Sequence, residues 1–254
     1  MPGGEKKSLQ IGELQERLRA LDRIGGGRRP THRFGLPELD RALGGGLATG
    51  CLHEVAGALD DGAATGFVAA LAAGLAGETG AVLWCLPRPD LYGPGLAAAG
   101  LDLARLIVLR APRPADCLWA MEEGARSGAL AAAVGEVDKL SLTAARRLQL
   151  ASETGGVTAF LLRAAGGTED AAAVAATRWR VAAAPSSEAA DSAAGRPRPW
   201  PGLPRWQVDL RRCRGGRPGR WILSWQEGAW RDAAGDLAVA APLRHRPAAA
   251  EAGA

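Results

Sequence analysis

The stretch on which the fold turns is Gly57-Ala-Leu-Asp-Asp-Gly62-Ala63-Ala64-Thr65, which follows the apolar run GCLHEVAG at 50–57. An apolar run ending in glycine before a segment that continues as a helix is the setting of a phosphate loop. A working loop has the form Gly-x-x-x-x-Gly-Lys-Ser/Thr, in which backbone amides and a lysine surround the phosphates and a hydroxyl holds magnesium. Gly57 and Gly62 stand at that spacing. Ala63, however, occupies the lysine position and Ala64 the hydroxyl position, with Thr65 one place beyond. Asp60 and Asp61 add negative charge where a triphosphate would sit. Losing a cation from a partly buried site costs on the order of several kcal/mol, so this loop is not expected to bind ATP tightly. The two glycines also fit a plain turn in an unrelated α/β domain, so the neighbouring segments must decide.

Working outward, GLPELDRAL at 35–43 reads as a short helix and Gly44 to Gly46 as a glycine turn feeding the strand at 50–57. Downstream, short runs at 81–87, 106–112, 130–137 and 157–165 read as strands. Segments at 114–127 and 140–154 carry helical spacing, the latter with Leu140, Ala144, Leu148 and Ala151 along one side. Strands alternating with helices predict an α/β fold with a mainly parallel central sheet flanked by helices.

The flanks differ in kind. Ile11, Leu14, Leu18 and Leu21 recur at three- and four-residue steps among charged neighbours, an amphipathic N-terminal helix within 1–24 set off by Gly25 to Gly27. That apolar face suits docking on the core or on a partner. The α/β core spans 31–185. An Ala-, Pro- and Ser-rich linker follows at 186–204. Trp206, Val208 and Leu210, then Trp221, Leu223 and Trp225, alternate with polar residues across GGRPG, a β-hairpin extension at 205–231. Residues 232–254 are expected to form a disordered tail. On the hairpin, Arg205, Arg211, Arg212, Arg214, Arg217 and Arg220 interleave with Trp206 and Trp221. Such a mixture suits nucleic acid or a protein interface; equally, the tryptophans could cover the sheet above a solvated arginine face.

Composition narrows the function classes. A chain of 254 residues with 47% hydrophobic content can bury one sizeable core. It has no apolar run of about 18 residues and no secretory leader pattern, so a cytoplasmic protein is expected. Four scattered cysteines, with no Cys-x-x-Cys pair, and three histidines show no metal-ligand spacing. No metal or cofactor is expected.

Several segments, in one order, resemble the RecA family and within it the ImuA-type proteins of bacterial damage-induced mutagenesis. The run GLPELDRALGGGLATGCLHEVAG at 35–57 resembles the family's entry into the phosphate loop. RSGALAAAVGEVDKL at 126–140 resembles the strand bearing the Walker B acid, which places Glu136 at that position. GGVTAFLLRAA at 155–165 is similar to the next strand, and TRWRVAAAPS with RWQVDLRRCRGGRPGRW is similar to the ImuA-type tail.

The resemblance implies a RecA-like fold and an accessory role in error-prone translesion synthesis. Its implied partners are an ImuB-type Y-family polymerase-like protein, RecA and, indirectly, a mutagenic replicative-type polymerase subunit. The departures from active RecA proteins agree with one another. Leu86, Pro87 and Arg88 surround the place of the catalytic glutamate, and Leu162 and Arg163 that of the γ-phosphate sensor. The implied protein is a non-catalytic adaptor, with Ile11, Leu14, Leu18 and Leu21 as the partner-binding face. Glu136 could still hold a magnesium ion, though alone it makes a poor site, or it could be an ordinary strand-end acid that caps a neighbouring helix or pairs with Lys139 or Arg146. Two rival readings are a DNA-stimulated ATPase using Arg88 or Arg163 as a displaced cation, and a cell-division inhibitor-like interaction protein.

Overall fold

The computed structural model describes residues 30–58, 62–164, 174–185 and 203–233. The expected N-terminal helix with Ile11, Leu14, Leu18 and Leu21, the loop residues Asp60 and Asp61, most of the expected linker and most of the tail lie outside the described residues.

Two short strands, β1 (Thr31–His32) and β2 (Leu47–Ala48), pair antiparallel beside the helix α1 (Pro37–Ala42). Pro37 starts α1 where a missing amide costs nothing, and Asp40 accepts the amides of Phe34 and Gly35, pinning the turn before it. The chain then enters β3 (Leu52–Gly57), buried along almost its whole length, and turns through Gly62 into α2 (Ala63–Ala76). Gly62 has φ of 63°, a left-handed conformation that glycine adopts without a Cβ penalty.

From α2 the chain alternates through β4 (Ala81–Leu86), α3 (Gly93–Ala98), β5 (Leu106–Arg110), α4 (Pro114–Ser127), β6 (Leu130–Glu136), α5 (Leu142–Gly155) and β7 (Thr158–Ala164). It continues to β8 (Thr177–Ala183), β9 (Arg205–Cys213), β10 (Gly219–Gln226) and β11 (Ala229–Asp232). Among the described residues these form one nine-stranded sheet ordered β11-β10-β9-β8-β3-β7-β6-β4-β5. From β8 to β5 every neighbouring pair is parallel, whereas β9, β10 and β11 join antiparallel. The residues read as a hairpin extension therefore continue the central sheet as a wing, with β11 as a further strand.

Period-two alternation sorts the side chains to two faces. On the first, Val55, Trp84, Phe160, Trp179 and Leu223 pack around Phe67 of α2. On the second, Leu52, Leu83, Cys85 and Leu161 pack under α4 and α5 around Met121 and Leu148. Alanine and glycine let α2 lie close to the sheet: a Cβ on Gly66 would meet the Trp206 ring at 3.3 Å. Phe67 in turn lies 5.8 Å from Trp179, 6.2 Å from Trp206 and 5.4 Å from Trp230, ring centroid to centroid. Each such pair contributes roughly 0.5–1.5 kcal/mol beyond its buried area. This cluster ties the antiparallel wing to the helix that follows β3.

Candidate functional site

In a parallel α/β sheet, ligands gather beyond the carboxyl ends of the strands, where successive connections leave in opposite directions. This chain winds outward from β3 to β4 and β5, then returns through β6 and β7 to the side of β3. At that end lies a cleft of about 540 Å³. Gly62, Ala64 and Thr65 of the loop and the start of α2 form one wall, and Pro87, Arg88 and Asp90 after β4 form another. Glu136, Asp138, Leu162 and Arg163, from the ends of β6 and β7, form the floor. Tyr92, 72% exposed, stands at the rim.

The sequence-predicted loop residues Gly62, Ala64 and Thr65 and the Walker B-like Glu136 are thus brought together. Ala63 and Ala64, at the lysine and hydroxyl positions, are both buried. Gly57 closes the strand below: a Cβ there would meet Ala64 Cβ at 2.7 Å and the Val181 carbonyl at 2.8 Å. Its missing side chain is required by the packing of β8 and α2, whatever occupies the cleft.

The Glu136 carboxylate accepts a hydrogen bond from the Trp84 indole at 3.1 Å. The alternatives read from sequence, Lys139 and Arg146, are not its partners among the described residues. Burial holds its carboxyl above the ordinary range, Asp90 and Asp138 add to the rise, and the Trp84 hydrogen bond and Arg88 oppose it. The cleft thus gathers three acids, Glu136, Asp90 and Asp138, which disfavour a polyphosphate.

Both arginines considered as displaced cations have other commitments. Arg88 pairs with Asp90 at 3.4 Å in an exposed position. Arg163 is buried; its Nη1 lies 3.1 Å from Glu54 Oε1, and its Nη2 donates to the Asp138 carbonyl at 3.0 Å. Arg178, on β8, lies 3.5 Å from the same Glu54 oxygen. Sequence reasoning missed Glu54. The available signal was a carboxylate inside a strand buried on both faces, a placement that demands a cationic partner.

His53, beside Glu54, also sits in the interior. Its Nε2 lies 2.8 Å from the Ala48 carbonyl, which only accepts, so Nε2 carries the proton. Nδ1 then accepts from the Thr177 hydroxyl at 2.6 Å, and the Trp179 indole donates to that hydroxyl at 2.6 Å. Burial pushes the imidazole pKa down to about 4, with the Ala48 hydrogen bond partly opposing the shift. This relay fixes β3 to β8 below the cleft.

The expected contact residues of the wing are divided by the sheet. Arg205 and Trp206, read either as possible contacts or, for the tryptophan, as cover for the sheet, are buried. The pleat turns Trp206 onto Phe67, and Arg205 opens a strand flanked on both sides by β8 and β10. Trp221 packs half-buried against the same core. Arg211, Arg212, Arg214, Arg217 and Arg220 are exposed. Arg211 and Arg220 flank Asp209 at 2.9 and 3.3 Å, and Arg214 donates to the Val174 carbonyl at 3.0 Å.

Fold and cleft together define a RecA-like α/β protein in which Ala63 and Ala64 start the helix beside the cleft. Over 212 residues the chain is 45% identical to Protein ImuA of Caulobacter vibrioides, an alignment covering 78% of this chain and 84% of that protein; the ImuA of a second strain of that species matches equally. No protein-family model matches the chain. The chain belongs to the ImuA family.

Proposed function

We propose that this protein is a cytoplasmic, non-catalytic RecA-like adaptor in damage-induced, error-prone translesion DNA synthesis. It binds an ImuB-type Y-family polymerase-like protein, RecA or both, and through them assembles or regulates a complex containing a mutagenic replicative-type polymerase subunit. The observation that carries this reading is the chemistry of the cleft. It lies beyond the carboxyl ends of the parallel strands, where Ala63 supplies no charge, Glu54 holds Arg163, and Glu136, Asp90 and Asp138 line the cleft. Membership of the ImuA family supports the mutagenesis context. The ATPase alternative needs a cation free to move into the cleft. Taking Arg163 from Glu54 would leave that buried carboxylate with Arg178 alone, at 3.5 Å.

On this reading the partner contact is the apolar face of Ile11, Leu14, Leu18 and Leu21. The test is capture of purified ImuB-type protein and of RecA by the full chain and by its Leu14→Asp/Leu18→Asp variant, with folding checked by circular dichroism. Capture by the parent and its loss in the variant are expected. Failure of the folded parent to capture either protein contradicts the adaptor role, and capture unaltered by the double substitution contradicts the assignment of the helix.

A further inference from the structure

The wing has two unlike faces. Trp179, Trp206, Trp221, Trp225 and Trp230 all project into the core on the α2 side. The helices in substantial contact with β8 and β10, α2 and α1, carry core residues of that same side, whereas α4 and α5 lie over the strands from β3 to β4. The second face of the wing takes the alternate residues. Arg180 of β8 stands opposite Asp209 of β9, which stands opposite Arg220 of β10, so one row across three strands reads Arg, Asp, Arg. Arg211 lies two residues along β9 from Asp209, and Arg231 of β11 stands opposite Ser224 of β10. All four arginines are exposed, whereas Asp209 is buried and is the only acid in the β8–β11 residues of this face.

We infer that this face binds the phosphate backbone of duplex nucleic acid without reading its sequence. Strand spacing sets Arg180 and Arg220 about 10 Å apart and Arg211 about 7 Å along the strand from their row. The result is a flat lattice of guanidinium groups, each able to take two phosphate oxygens. Duplex DNA presents about one charge per 1.7 Å of axis, a density that four arginines against one aspartate complement. A protein partner would be expected to find an aromatic or aliphatic anchor at the centre of its interface, and a single strand would need aromatic rings on which bases stack. Here the tryptophans lie on the opposite side, and the only large apolar residue of this face is the half-buried Ile222. The inference is independent of the adaptor reading, because it concerns neither the cleft nor the N-terminal segment.

The test is fluorescence anisotropy of a labelled mixed-sequence duplex of about 25 base pairs, titrated with the full chain between about 50 and 200 mM salt. Arg180 and Arg231 form no ion pair among the described residues, so Arg180→Gln/Arg231→Gln strands no carboxylate there. That variant is expected to bind roughly tenfold more weakly at low salt, with a salt slope shallower by about 2. Gln207→Arg, on the same exposed face, is expected to tighten binding severalfold, which keeps the test open should the double variant fold poorly. Arg110→Gln/Arg113→Gln, at the far end of the sheet, is expected to leave binding unchanged. No duplex binding by the parent at low salt, or binding insensitive to both wing variants, would overturn the inference. So would binding of poly-glutamate without binding of duplex, which would assign the face to an acidic protein.

Discussion

Arg163 of β7 and Glu54 of β3 meet at 3.1 Å with side chains only 1% and 3% exposed, directly beneath the cleft. A guanidinium held there by a carboxylate, and by the Asp138 carbonyl, is part of the floor. Removing Glu54 leaves the buried Arg163, and Arg178 beside it, without the carboxylate they share, which typically costs about 3–5 kcal/mol. Glu54→Gln is therefore expected to lower the urea unfolding free energy by that order. Glu54→Leu/Arg163→Met, which removes both fully buried charges and leaves only the more exposed Arg178 without the carboxylate, is expected to recover part of the loss. Equal destabilisation by the single and double variants would show that the ion pair is not what the site depends on.

His53 makes stability depend on pH in a definite direction. Its folded pKa of about 4 lies below the ordinary value of 6.5, so the folded state resists protonation. Its contribution is fully present above pH 6.5 and is lost as pH falls towards 4, amounting to about 3 kcal/mol over that window. Urea unfolding of the parent and of His53→Gln across this range should show the parent losing stability more steeply. Parallel curves would refute the neutral, relay-bound imidazole.

Gly57 is a packing residue as much as a loop residue. Its Cβ position lies 2.8 Å from a backbone oxygen of β8 and 2.7 Å from the Cβ of Ala64, neither of which is the flexible end of a side chain. Gly57→Ala is expected to destabilise the protein by about 1–3 kcal/mol, with or without any nucleotide. A variant as stable as the parent would return Gly57 to the role of a simple turn.

Much of this architecture was legible in the sequence. The runs at 81–87 and 130–137 are strands Ala81–Leu86 and Leu130–Glu136, and 114–127 is helix Pro114–Ser127, because period, glycine and proline act locally. The wing was not. Alternation in RWQVDL gives two faces but does not say which meets Phe67, and β8 was read only through family resemblance. Its pairing with β9 joins strands separated by more than twenty residues, which no local pattern reports. The loop's missing lysine was plain at Ala63. The acids gathered around Glu136 were not, since Asp90 reaches the cleft through the turn after β4, and Glu54 reveals its partner only when β3, β7 and β8 lie side by side.

The most direct measurement of the central claim is calorimetric titration of the full chain with ATP and magnesium, with phosphate release followed in the presence and absence of DNA. An adaptor whose cleft lacks a phosphate-binding cation should show no binding heat in the micromolar range and no release above background. Micromolar binding with DNA-stimulated release would contradict the account and would mean that Arg88 or Arg163 leaves its carboxylate for the nucleotide.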